Sequence, residues 1–206
     1  MASDLERSSR AARSTSSPSA PPFMRASRHS HGRRFSKHQR AWHNHEPHRD
    51  LRTPLHMTLD WVCKHHSQLS LQELYALLQL RNEVFVVEQK CPYQDIDGLD
   101  LVGETHHLLA SREGRLLACL RLLDPKRHEG QVVIGRVVSS SAARGQGLGH
   151  QLMEQALLAA ERLWPGMPLY LSAQAHLQGY YGRYGFTPVT EIYLEDDIPH
   201  IGMRRG

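Results

Sequence analysis

From about residue 59 onward, apolar and polar positions follow either a two-residue or a three-to-four-residue period, and each period predicts an element. Leu59 to Cys63 reads as a first strand. Ser70-Leu71-Gln72-Glu73 is a capping box, with Ser70 capping a helix and Glu73 reaching back. Leu71, Leu74, Tyr75 and Leu78 then recur at helical spacing, which predicts that this face is buried. The helix is expected to run to about Val87, and Pro92 bars much further extension. Tyr93 to Gly103, rich in Asp and Gly, reads as a loop. His107 to Ala110 and Leu116 to Leu123 are strands joined by a turn at Arg112-Glu113-Gly114-Arg115. Gln131 to Val138, apolar and β-branched, is the next strand. From about Gly147 a second helix places Leu148, Leu152, Ala156, Ala159 and Leu163 on one face, and Pro165 and Gly166 end it. Leu169 to Ala173 is a short buried strand, followed by Gln174 and a short helical segment through Tyr181. Phe186 to Tyr193 and Ile198 to Met203 pair across Glu195-Asp196-Asp197. The expected order is β-α-loop-β-β-β-α-β-α-β-β, that of an α/β chain.

Charge divides the chain into two regions. Residues 1–56 hold 11 Lys and Arg against 4 Asp and Glu, a net of +7, which leaves −3 for the remainder of a chain whose total is +4. The basic character therefore belongs to this extension and not to the domain at 57–206. The extension is rich in Ser, Arg, His and Pro and has few large apolar residues. It cannot bury enough surface to offset its ordering entropy, so disorder is expected. An Arg- and Ser-rich start can be a transit peptide, and a basic arm can bind nucleic acid. His29, His31, His43, His45 and His48 could collect metal adventitiously. The plainer alternative is upstream sequence translated from an early start, with the domain opening at Met57.

The remaining 150 residues suffice for one domain with a core. Cys63, Cys91 and Cys119 are odd in number and contain no C-x-x-C pair, so neither a zinc site nor a disulfide framework is indicated. They fit reduced thiols in a cytoplasmic protein. No apolar run approaches the ~18 residues of a membrane span. No metal is expected.

The chemistry concentrates at Arg144-Gly145-Gln146-Gly147-Leu148-Gly149, between the β-branched strand and the second helix. Unpaired N–H groups and the helix dipole make such a start an anion site. The glycines let the backbone close around the anion. No Gly-Lys-Ser/Thr ending is present, so it is not a nucleotide P-loop, and it is not GxGxxG.

Arg-x-x-Gly-x-Gly opening a helix resembles the coenzyme-A pyrophosphate loop of the GNAT N-acetyltransferase superfamily. Tyr181-x-x-x-Gly185-Phe186 after a strand resembles that superfamily's second acyl-CoA-binding half. Leu80 to Gln89, Cys91 to Gly98 and Ile198 to Met203 are similar to the ElaA family within it. The resemblance implies a GNAT-like acyl-CoA N-acyltransferase fold, a central mixed sheet with splayed strands flanked by helices. It also implies transfer of an acetyl group from acetyl-CoA, as cosubstrate, to an amine of a small molecule or protein. By the same resemblance Tyr181 faces the thioester sulfur and donates a proton to it, Gln174 contacts the pantetheine arm, and backbone N–H groups around Val137, Val138 and Ser139 meet the acetyl carbonyl.

Gly135, inside a β-branched strand, fits a bulge or bend that splays the strands. Many relatives carry a glutamate base on the central strand, whereas this chain has Val132, Val133 and Ile134 there. His107, Glu83 and His200 are the alternatives. Glu83, beside Arg81, also reads as part of a solvated helix face. Asp95 and Asp97 read as turn residues that could bind a cationic acceptor. A homodimer stays open, as do two rival functions: a CoA-binding regulator with little catalysis, and a protein acting on nucleic acid through its basic arm.

Overall fold

A computed structural model describes residues 58–206, and the expectations for residues 1–56 lie outside the described residues. Seven strands form one sheet in the order β1-β2-β3-β4-β5-β7-β6. They are β1 (Asp60–His65), β2 (His106–Arg112), β3 (Arg115–Leu123), β4 (Val132–Ser139), β5 (Leu169–Gln174), β6 (Thr187–Glu195) and β7 (Ile198–Arg205). Three helices, α1 (Leu71–Arg81), α2 (Leu148–Leu163) and α3 (Gln178–Gly182), complete the fold. Every neighbouring strand pair is antiparallel except β4 and β5.

Local chemistry explains the element boundaries. Glu113 (φ 52°) and Gly114 (φ 74°) both lie in the left-handed region, as a two-residue hairpin turn needs, and so do Asp196 and Asp197 between β6 and β7. At α1 the capping box closes in both directions: Ser70 Oγ accepts from the Glu73 N–H at 3.1 Å, and Glu73 accepts from the Ser70 N–H at 2.9 Å. Glu73 also pairs with Lys64 of β1 at 2.7 Å, which ties the helix start to the sheet edge.

The expected face of α1 is corrected. Leu71 and Tyr75 are 80% and 71% exposed, whereas Leu77, Leu80, Arg81 and Val84 are buried. The helix is turned by about 100°, one residue's rotation. Its apolar residues form two adjoining stripes, which periodicity cannot rank. Arg81 settles the choice. Expected on a solvated face, it is 1% exposed and bonds Asp95 Oδ2 at 2.9 Å, Asp100 Oδ1 at 2.7 Å and the Asp95 carbonyl at 2.9 Å. Beyond Arg81 the chain continues as a π-helical stretch, Asn82–Glu88.

Two apolar layers cover the sheet. Leu148, Leu152, Met153 and Ala156 of α2 pack on one core cluster with strand residues such as Leu120 and Leu122. Leu77, Leu80 and Val84 form the other with Leu109, Cys119 and Val138. At roughly 1.5–3 kcal/mol for each fully buried large apolar side chain, these layers dominate stability.

Candidate active site

The site begins with two strands that part. β4 and β5 pair only at Val132↔Leu169 and Val133↔Tyr170. Beyond Val133, β4 stays on β3 while β5 stays on β7. The backbone groups on the β5 side of residues 134–139 therefore have no ladder partner. A bulge bends β4 away: Cys119 pairs with Val138 and Arg121 with Gly135, so Arg136 and Val137 together oppose Leu120. The expected bend is present, but the left-handed residue is Arg136 (φ 54°) and not Gly135. A non-glycine residue in that region costs roughly 1–3 kcal/mol and must be held by its surroundings. Arg136 Nε lies 2.8 Å from Asp95 Oδ1, and Nη2 donates to Asp97 at 3.1 Å and to the Asp95 carbonyl at 3.0 Å. Its guanidinium lies over the Tyr93 ring, 5.7 Å from the centroid.

Arg121 completes a largely buried network of three arginines and three aspartates, with Asp97 and Arg136 at its open side. It grips Asp97 with both Nη atoms, at 2.8 and 2.7 Å, and Asp100 at 2.9 Å. Asp95, Asp97 and Asp100 all come from the loop after the π-helical stretch, so α1, β3 and β4 clamp that loop beside the cleft. Burial alone would raise the Asp97 and Asp100 carboxyls, but hydrogen bonds and charge from Arg121 and Arg81 hold both below the usual range. The sign follows. A depressed folded pKa gives stability that is fully present above the unfolded value of about 3.9 and lost as pH falls through the folded value. Urea midpoints should hold from pH 7 to about 5 and then fall. In Asp97→Asn the midpoint should be lower at pH 7, with the deficit shrinking as pH drops below about 4. A deficit independent of pH would place the effect in packing instead.

The parted strands bound a cleft of about 330 Å³, lined by Val137 on β4, Gln174 on β5 and Tyr181 on α3. Tyr181 is 7% exposed, and its hydroxyl makes no hydrogen bond to another described residue. Burial, with a contribution from Tyr184, raises its pKa to about 12. Tyr180 donates to the Gly149 carbonyl at 2.7 Å, and Tyr184 bonds His150 at 2.6 Å, so the tyrosine segment is docked on the first turn of α2.

That first turn is an open nest. Gly147 caps α2 with φ 74°, and Gly145 has φ 76°, conformations that favour glycine. From Gly145 through Gln146, Gly147 and Leu148 to Gly149, no backbone N–H meets a backbone acceptor among the described residues. A Cβ built on Gly145 or Gly147 meets nothing within 4 Å, so the concavity is open to a ligand. The donor set and room fit a pyrophosphate. Arg144 does not point its charge into this nest: it makes a two-pronged pair with Glu88, at 2.6 and 3.0 Å, and reaches the Ser139 carbonyl at 3.3 Å. The Gln146 amide turns back to the Ala142 carbonyl at 3.1 Å. The Val138 side chain is buried in the core, which leaves only its backbone for a ligand.

The residues expected to supply a base separate. His200 lines the cleft, with Nδ1 2.9 Å from the Ile198 carbonyl. His107 does not line it. His107 is 2% exposed, its Nε2 sits 2.8 Å from the Asp100 carbonyl, and burial lowers its pKa, so it is a neutral core histidine. Glu83 is exposed on the π-helical stretch away from the cleft lining. Asp97 is consumed by Arg121 and Arg136. Gln174 reaches Gln89 at 3.4 Å across the cleft. Residues with no forewarning in the sequence also line it: Phe85 and Gln89, presented by the π-helical turn, Cys91, and Ser172 with Glu195. Among the described residues no His, Cys, Asp or Glu side chains group as metal ligands, and no helix is long and apolar enough to cross a membrane.

The family model described as "Acetyltransferase (GNAT) domain" matches residues 66–205. Protein ElaA of Escherichia coli is 54% identical over 147 residues, covering 71% of this chain and 96% of the relative. The crystal structure of an acyl-CoA N-acyltransferase from Pseudomonas aeruginosa is 82% identical, with a TM-score of 0.71 over 72% of this chain and all of that one. The crystal structure of Escherichia coli ElaA is 53% identical, with a TM-score of 0.69 over the same share of this chain. An N-acyl amino acid synthase from soil microbes, at 12% identity and a TM-score of 0.58, shares the fold alone. With its parted strands, open nest and cleft tyrosine, the chain belongs to the ElaA family of the GNAT superfamily and is an N-acyltransferase of that type.

Proposed function

We propose that the protein transfers the acetyl group of acetyl-CoA to an amine, within a domain formed by residues 57–206. The opening between β4 and β5, lined by Tyr181, carries this reading, together with the nest that follows β4 at the start of α2. The N–H groups of Gly145 to Gly149 hold the pyrophosphate, and Gln174 meets the pantetheine arm. The thioester supplies an activated carbonyl carbon and a thiolate leaving group. Unpaired N–H groups of β4 around Val137 to Ser139 stabilise the oxyanion, a role worth roughly 3–4 kcal/mol per donor in known cases. Tyr181 keeps its proton at neutral pH and donates it as charge develops on the sulfur. Holding both reactants in line supplies much of the remaining acceleration. Reduced thiols fit a cytoplasmic setting.

An amine screen with acetyl-CoA, following thiol release and product mass, tests the reading. Acetyl transfer faster than transfer from longer acyl-CoA thioesters is expected, and a chain begun at Met57 should behave like the full one. Binding of acetyl-CoA with neither thiol release nor an acylated amine from any acceptor would favour a CoA-binding regulator.

A further inference from the structure

The charges in the cleft do not balance, and the imbalance has a sign. Arg121 and Arg136 line it, but Asp95, Asp97 and Asp100 already engage both. Glu195, the last residue of β6, also lines it, and no arginine, lysine or histidine lies within ion-pair distance among the described residues. Ser172 Oγ, from β5, donates to Glu195 Oε2 at 2.9 Å, and the same hydroxyl bonds the Tyr193 hydroxyl at 2.6 Å. Oε1 has no hydrogen-bond partner among the described residues and is left for a ligand. Asp196, next in the chain, lines the cleft and is likewise without a cation. A second, independent observation points to a ligand in the same cleft: Tyr181 is only 7% exposed, lines the cleft, and its hydroxyl has no hydrogen-bond partner among the described residues. The cleft is thus negative at its β6–β7 rim and holds an unused proton donor inside.

We propose that the acceptor is a primary alkyl amine that enters as its ammonium ion and carries no carboxylate nearby, and that Glu195 holds it and takes its first proton. This rests on the acyl-CoA reading above. A carboxylate on the acceptor would meet Glu195 and Asp196 and would find both arginines already paired with aspartates, so it would have to compete with Asp95, Asp97 and Asp100 for them. Glu195 takes one proton from the ammonium, leaving a neutral amine. Its lone pair attacks the thioester carbonyl, the C–N bond forms and the C–S bond breaks. The second amine proton leaves as Tyr181 supplies the proton the sulfur needs, which restores the tyrosine. One ammonium and one thioester give one amide, one thiol and one proton, which Glu195 returns to solvent. Ser172 and Tyr193 are positioning residues that fix the carboxylate.

The test compares n-butylamine, 1,4-diaminobutane and 4-aminobutanoate as acceptors of acetyl-CoA, in the parent and in Glu195→Gln. The parent should acetylate the first two and discriminate against 4-aminobutanoate by about tenfold or more, the scale of one charged contact. In Glu195→Gln the KM for n-butylamine should rise by about the same factor, with kcat lower at neutral pH and partly recovered at alkaline pH. Calorimetric affinity for acetyl-CoA should not change. Parental kinetics in Glu195→Gln, or preference for 4-aminobutanoate, overturns the proposal. A parent that binds acetyl-CoA but neither binds nor acetylates either carboxylate-free amine overturns the acceptor class alone. Absence of acetyl-CoA binding in the parent overturns the reading on which it rests.

Discussion

Tyr181→Phe is expected to slow acetyl transfer by about 10²–10⁴-fold while leaving CoA affinity nearly unchanged. The substitution removes one oxygen and keeps the ring. The ring contributes to the core, packing against Phe186 at 6.3 Å and Tyr180 at 5.0 Å between centroids, so the fold keeps its contacts. Among the described residues the hydroxyl makes no hydrogen bond that would be lost, so none of them is stranded. What disappears is a proton held at a pKa of about 12. A phenol at that value gives up no proton to solvent at neutral pH, so its transfer must be coupled to C–S cleavage. The loss should therefore fall on kcat, and the pH profile below about 10 should keep its shape, because Tyr181 does not titrate there. Single-turnover kinetics with an established acceptor, alongside calorimetry with CoA, make the check. Parental kcat in the phenylalanine variant would leave Tyr181 as a packing residue, with water or the acceptor supplying the proton.

Gly147→Asp should weaken CoA binding by about a hundredfold or more, since like charges set against each other in a binding site cost several kcal/mol. The position has φ 74° at the cap of α2, and open space lies where the new side chain would go. That space is the mouth of the nest. An aspartate there puts its carboxylate among the free N–H groups and competes with the pyrophosphate for them. The same carboxylate suits the positive end of the helix dipole, which offsets part of the backbone strain, so the domain should still fold. Gly147→Ala separates the two effects: it carries the strain without the charge and should cost CoA affinity far less. Equal CoA affinity in Gly147→Asp and the parent would remove the nest from the binding site.

The two variants probe elements of unequal legibility. The nest was readable because its information is local: two glycines in left-handed positions, a strand before and an amphipathic helix after. The same is true of the Ser70–Glu73 capping box and of the two tight hairpin turns. Tyr181 was readable through its spacing to Gly185 and Phe186. By contrast, His107 and Glu83 looked equivalent as bases until tertiary contacts buried one and left the other outside the cleft. The place of Glu195 in the cleft gave no sign, because its bond to Ser172 spans 23 positions in sequence and forms through β5–β7–β6 pairing.

The sequence by itself determined the order of elements, their caps and turns, the glycine-rich helix start and the resemblance that goes with it, all set by residues within a few positions of one another. Only the tertiary structure decided which stripe of α1 faces the sheet, where β4 bends, and which side chains meet in the cleft. Those outcomes follow from long-range constraints: Arg81 and Arg121 must be neutralised once buried, and Asp95, Asp97 and Asp100 of one loop do it. Satisfying Arg136 from the same loop holds the bulge that opens β4 from β5. A charge taken out of water must find its partner wherever the fold supplies one, and linear spacing carries no record of that choice.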